Sequence, residues 1–142
     1  MPAVKDIMTK NVVSVCVENS VFEAAELMSS KQVSCLVIMD GEMPIGIVTE
    51  RDIVRRVVAK KMPLETKVSE IMSKSLITID ADASLKEAAR LMSSNKIRRL
   101  PVLKQNKLVG IVVAADFVRN LGKKSTSEEI LEAMGRYPST FP

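Results

Sequence analysis

The chain has 142 residues, 46% hydrophobic and 27% charged, a balance that suits one domain or two small units sharing a core and argues against disorder. Its 21 basic and 17 acidic residues leave a net charge of +4 without a polybasic block, and histidine, the commonest general base and metal ligand, is absent. No apolar run approaches the roughly 18 residues of a membrane span. The opening Met1-Pro2-Ala3-Val4-Lys5-Asp6 also lacks a signal peptide's apolar stretch, so a cytoplasmic protein is expected.

Along the chain, Asn11-Val12-Val13-Ser14-Val15 is the first β-rich stretch. Ser20 and Glu23 then fit a capping box, in which each side chain satisfies the other residue's backbone N–H. Val21, Ala24, Ala25 and Met28 follow at helical spacing and give that helix one apolar face. Two strands are expected at residues 33–39 and 44–48, around a turn at Asp40-Gly41, with another helix from about Glu50. Cys16 and Cys35 lie in apolar stretches and are expected as buried, reduced thiols. The methionines at 28 and 92 are expected to fill the core.

The second half repeats this order at an offset of 64, as Ile7-Met8 against Ile71-Met72 shows. Glu23-Ala24-Ala25 returns as Glu87-Ala88-Ala89, and Gly46-Ile47-Val48 as Gly110-Ile111-Val112. Aligned without a gap, the copies agree at roughly 20 of about 57 positions. Copy two predicts a strand at Leu76-Ile77-Thr78-Ile79, a helix capped by Ser84, strands at 99–103 and 108–112 around Gln105-Asn106, and a helix from about Ala115. The fold class is α/β (α+β): two tandem β-α-β-β-α repeats packed through their sheets, because about 60 residues alone bury too small a core. The expected boundaries are repeat 1 at 4–60, a linker at 61–67, repeat 2 at 68–124, and a C-terminal helix and tail at 125–142.

The chemistry concentrates at Gly46-Ile47-Val48-Thr49-Glu50-Arg51-Asp52, where a strand turns into a helix. Gly46 would let a ligand approach the strand backbone. Thr49 and Asp52 sit where free helical N–H groups favour anions. A carboxylate accepts hydrogen bonds only, and so suits the paired hydroxyls of a ribose. Ile47 and Val48 would supply apolar walls for a purine. The same residues also read as plain structure, with Thr49 and Asp52 as a capping box and Gly46 relieving a bulge.

That segment, with the Ile-Met opening of each copy, resembles the cystathionine-β-synthase (CBS) domain family, and two tandem copies resemble the CBS pair, or Bateman module. The resemblance covers about residues 4–124 and suggests a stand-alone regulatory pair. It implies binding of AMP, ADP or ATP, and also NAD or S-adenosylmethionine, in clefts between the copies, and dimerisation of pairs into a flat disk. Carried over, the first cleft uses Ile47, Thr49 and Asp52 with Ile77, Ile97, Arg98 and Arg99. Asp52 would hold the ribose, Ile77 and Ile97 would flank the adenine, and Arg98 or Arg99 would meet phosphate. The second cleft uses Ile111 and Asp116 with Val13, Val33 and Ser34. Copy two departs from the pattern because Val113 stands where Ser or Thr is expected. A carboxylate retained without its capping partner favours a ligand role, and the missing hydroxyl predicts that Asp52's cleft is the tighter.

An enzyme is not expected: no nucleophile has an evident activating partner and no carboxylate set suggests a metal site. No cofactor is required by this reading, and its partners are a second copy of the pair and an unnamed regulated protein. The main rival is nucleic-acid binding, given an isoelectric point near 9.2. Against it, Phe22, Phe117, Tyr137 and Phe141 are too scattered for a stacking platform. A protein-interaction scaffold with vestigial clefts is a third reading.

Overall fold

Short β-branched runs and capped apolar-faced segments produce the same element order twice in a computed structural model, which describes residues 2–73 and 76–120. The expected C-terminal helix and tail at 125–142, and the end of repeat 2 at 121–124, lie outside the described residues. A short helix, α1 (Val4–Ile7), precedes β1 (Ser14–Cys16), α2 (Val21–Lys31), β2 (Cys35–Asp40) and β3 (Met43–Thr49). Helix α3 (Glu50–Asp52) continues as a π-helical stretch, Ile53–Val58, and a 3-10 turn spans Val68–Glu70. Then follow β4 (Ile79–Asp80), α4 (Leu85–Asn95), β5 (Arg99–Lys104), β6 (Lys107–Val113) and α5 (Ala114–Val118). The α/β class and the repeated β-α-β-β-α unit are as the sequence indicates.

Each copy forms a three-stranded sheet, β1-β2-β3 or β4-β5-β6, with the first pair parallel and the second antiparallel. The middle strand is buried on both faces, which is why Leu36-Val37-Ile38 and Leu100-Pro101-Val102 are unbroken apolar triplets. Pro101 also explains a difference between the sheets. In copy one Val37 N–H donates to the Val13 carbonyl at 3.2 Å, extending the pairing toward β1. Proline at the matching position has no N–H to give, so β4 shrinks to Ile79–Asp80 and the strand expected over 76–79 forms only at its end.

The hairpins solve their turns differently. Gly41 alone takes a positive φ (61°) in the first, whereas Gln105 and Asn106 (51° and 63°) both do so in the second, as a type I′ turn requires.

The compact units do not coincide with the sequence repeats. One unit is residues 12–76, and the other joins residues 1–11 to the chain from Ile77 onward. The Ile-Met segment that opens each copy has therefore changed owner. In the second-copy unit, Val4 and Ile7 enter the core with Leu85, Met92, Leu100 and Phe117. In the first-copy unit, Val68 and Ile71 pack with Val21, Met28, Leu36 and Val57. Met28 and Met92 fill cores, as expected.

The 61–67 segment is fastened rather than loose. Its carbonyls at Thr66 and Leu64 accept the N–H groups of Val21 and Phe22, two donors that the start of α2 leaves without helical partners. Lys67 adds an ion pair to Glu18 at 2.7 Å.

The cysteine expectation needs correcting. Cys16 is exposed, because strand alternation turns Val15 inward and its neighbours outward. No disulfide joins Cys16 to Cys35: they pair in register with Met39 and Thr49, near opposite ends of the β2 pairing.

Candidate functional site

The strand-to-helix corner of copy one is built by reciprocal capping. Asp52 N–H donates to Thr49 Oγ1 at 3.1 Å, and Thr49 N–H donates to Asp52 Oδ2 at 2.9 Å. Alongside, Glu50 N–H donates to the Ser34 carbonyl at 3.0 Å, and Thr49 pairs with Cys35 across the sheet. Capping thus fixes Asp52 but uses only one of its oxygens. Oδ1 lies 3.7 Å from Arg56 Nε, beyond hydrogen-bond reach, and the Asp52 side chain is 18% exposed. Arg56 is anchored elsewhere, with Nη1 donating to the Ile71 carbonyl at 2.7 Å. Among the described residues, Oδ1 thus carries only this loose ion pair to Arg56 and no hydrogen bond.

The corner of copy two has the same backbone and a different electrostatic state. Val113 offers no hydroxyl, yet its N–H donates to Asp116 Oδ2 at 2.7 Å. This corrects the argument that Asp116 lost its capping partner, because that half of the box needs only the cap residue's backbone, whatever its side chain. The other oxygen, Oδ1, pairs with the Arg119 guanidinium. The Asp116 side chain is fully buried.

Two further sequence expectations change. Val48 is fully buried in the core and supplies no ligand wall. Gly46 does not open the strand to a ligand on its Cβ side, since a Cβ there would stand 2.7 Å from the Met72 sulfur. The pairing of β2 with β3 also shifts beside it, between Ile38 and Met39, so the bulge reading of this glycine fits.

Residues 4–59 and 68–123 each match the CBS domain family. The chain belongs to the CBS domain family. The CBS domain-containing protein YhcV of Bacillus subtilis is 39% identical over 84% of this chain and 86% of its own length. YlbB, an uncharacterized protein of the same organism, is 38% identical over 95% and 88%. Among solved structures, an uncharacterized conserved protein from Pyrococcus horikoshii aligns at TM-score 0.77 and 31% identity, covering 86% of this chain and 93% of that one. The CBS domain pair of protein MJ0100, in complex with 5′-methylthioadenosine and S-adenosyl-L-methionine, aligns at TM-score 0.77 and 30% identity over 87% and 98%. CBS pairs are regulatory modules, and tandem matches make this chain such a pair.

Within each CBS copy the structure places the remaining sequence candidates as follows. Ser34 reaches the Thr49 corner through its carbonyl, and Val13 and Val33 are partly buried against the same unit's core. In the second CBS unit the Arg98 carbonyl accepts the Ala114 N–H at 3.0 Å and Arg99 pairs with Val113, which brings both arginines to the Asp116 corner of their own copy. Arg98 is exposed and Arg99 half-buried. Ile77 and Ile97 are partly buried against that unit's core, and Ile111 is buried.

Spacing alone does not mark Arg119 as Asp116's partner, because Arg55 occupies the equivalent place in copy one without pairing to Asp52. Among the described residues no cluster of three or more Cys, Asp or Glu is arranged to hold a metal, and no helix is long and apolar enough to cross a membrane. A shallow depression of about 490 Å³ beside Phe22 and Leu64 shares no residue with either corner. Apart from Glu65, its polar side chains already serve the Ser20–Glu23 cap and the Glu18–Lys67 pair.

Proposed function

We propose that this CBS pair is a non-catalytic regulatory module that binds an adenine nucleotide at the Asp52 corner and couples occupancy to conformation or to contact with a partner. AMP, ADP and ATP are the foremost ligands, with NAD and S-adenosylmethionine as further candidates. One observation carries the reading: capping holds the Asp52 carboxylate in place while its Oδ1, with only a long ion pair to Arg56, has no hydrogen bond and can accept one from a sugar hydroxyl. The MJ0100 pair, which holds two adenosine compounds, supports it by similarity.

Calorimetry with each of the five ligands tests this. Asp52→Asn keeps an acceptor for the Thr49 N–H but removes the charge. It should cost about 1.5–3 kcal/mol of binding, the worth of a hydrogen bond to a charged group. No binding of any of the five to the wild type, or undiminished binding to Asp52→Asn, would refute the reading.

The proposal includes a homodimer of pairs. Val54 and Val58, one turn apart on the helix after Asp52, are 59% and 65% exposed, and Val118, the repeat counterpart of Val54, is 58% exposed. An apolar position left open in both copies supports a covering partner. Light scattering should give twice the chain mass for the wild type and a monomer for Val54→Glu/Val58→Glu.

A further inference from the structure

We infer that Arg119 closes the Asp116 corner, so that the two CBS copies are chemically unequal and each chain takes one nucleotide, at Asp52. The inference rests on the nucleotide reading and extends it to stoichiometry. Both Asp116 oxygens are hydrogen-bonded, Oδ2 to the Val113 N–H and Oδ1 to Arg119, whereas Asp52 is hydrogen-bonded only through Oδ2 and its Oδ1 keeps just the long 3.7 Å ion pair to Arg56. The Asp116 side chain is fully buried and the Asp52 side chain is 18% exposed. To reach Oδ1 a neutral ribose hydroxyl would have to displace the guanidinium and leave a fully buried carboxylate without its counter-charge, a loss that its own hydrogen bond to the carboxylate does not make good. Ribose therefore does not displace Arg119.

Helix winding explains why copy one escapes the same closure although it also carries an arginine three residues on. After Asp116 the chain is α-helical, and residue i+3 stands over residue i. After Asp52 it winds as a π-helix, whose wider turn rotates Arg55 away and brings Arg56 nearest instead, at 3.7 Å. The strand beside the carboxylate differs in the same sense. The Ile111 N–H and carbonyl are both taken by Thr9, at 2.9 and 2.8 Å, and among the described residues Ile47 has no counterpart to that bridge.

The experiment is calorimetric stoichiometry with AMP, ADP, ATP, NAD and S-adenosylmethionine on four proteins. Wild type should take one molecule per chain of whichever of these binds, and Asp52→Asn should bind it about 10- to 150-fold more weakly. Arg119→Gln should take two, the second being lost in Arg119→Gln/Asp116→Asn. One molecule per chain in Arg119→Gln, or two in wild type, would overturn the closure while leaving nucleotide binding intact. No binding to wild type by any of the five would instead sink the nucleotide reading itself. Should Arg119→Gln fail to fold, the wild type decides by NMR. The Arg119 guanidinium N–H signals should stay unmoved at saturating nucleotide, and their displacement would overturn the inference.

Discussion

At the scale of single residues, glycines and carboxylates in this chain act through what stands opposite them. A Cβ at Gly110 would lie 2.9 Å from the Thr9 carbonyl oxygen as well as against the Met8 side chain, while at Gly46 the closest atom is the movable end of Met72. Backbone yields less readily than a thioether, so Gly110→Ala should destabilise more than Gly46→Ala, within the roughly 1–3 kcal/mol typical of overpacking. Urea unfolding of the two variants measures the order, and a larger loss at Gly46 would contradict it. Within the Gly46–Asp52 motif the Thr49–Asp52 cap was legible, since spacing alone marked a reciprocal pair, but the ligand-facing roles expected of Gly46 and Val48 were not borne out. What spacing could not convey was the state of the second oxygen. Arg55 and Arg119 align in the repeat, and only the winding of each helix decides which of them reaches a carboxylate.

At the scale of elements, the two long helices show how much local sequence dictates. Helix α2 is closed by a complete box: Glu23 N–H donates to Ser20 Oγ at 3.1 Å, and Ser20 N–H to Glu23 Oε1 at 2.9 Å. Ser20→Ala should cost about 1 kcal/mol, checked by denaturant unfolding. The Ser20 backbone N–H, then the Asn19 and Ser20 side chains, hold the Glu23 carboxyl below its ordinary value of 4.5. A carboxyl whose folded value is depressed stabilises the fold above its ordinary value. That contribution is lost as pH falls through the depressed value. Glu23→Gln should therefore flatten the acid limb of the stability profile below about pH 4.5 and leave its alkaline limb unchanged. Thermal unfolding across acid pH reads this, and an unaltered acid limb would count against it.

Both helix starts were readable because capping is local. The truncation of β4 was not, because it arises where Pro101 on another strand withholds a donor. The exposure of Cys16 was missed because an apolar run of residues conceals strand alternation.

At the scale of the whole molecule, the repeat gave the architecture but not the ownership of its opening segments. Ile7 is 7% exposed within the second-copy core, far along the chain from its partners Leu100 and Phe117. Ile7→Ala should cost about 2–5 kcal/mol, the range for emptying a buried aliphatic site. Hydrogen exchange locates the damage: protection should fall over residues 79–118 and hold over 14–57. Loss confined to 14–57 would contradict the assignment of residues 1–11 to the second-copy unit.

The exchanged segments also bear on synthesis. Residues 1–11 are made before the rest of the described chain, yet Val4 and Lys5 donate to the carbonyls of Ala83 and Ala81, and Thr9 meets Ile111, all made much later. The first sheet, meanwhile, waits for Val68 and Ile71 before its core is closed. A nascent chain halted between the repeats would hold one unfinished core and one orphaned strap, so neither half is a folding unit that could be inherited, transplanted or degraded alone.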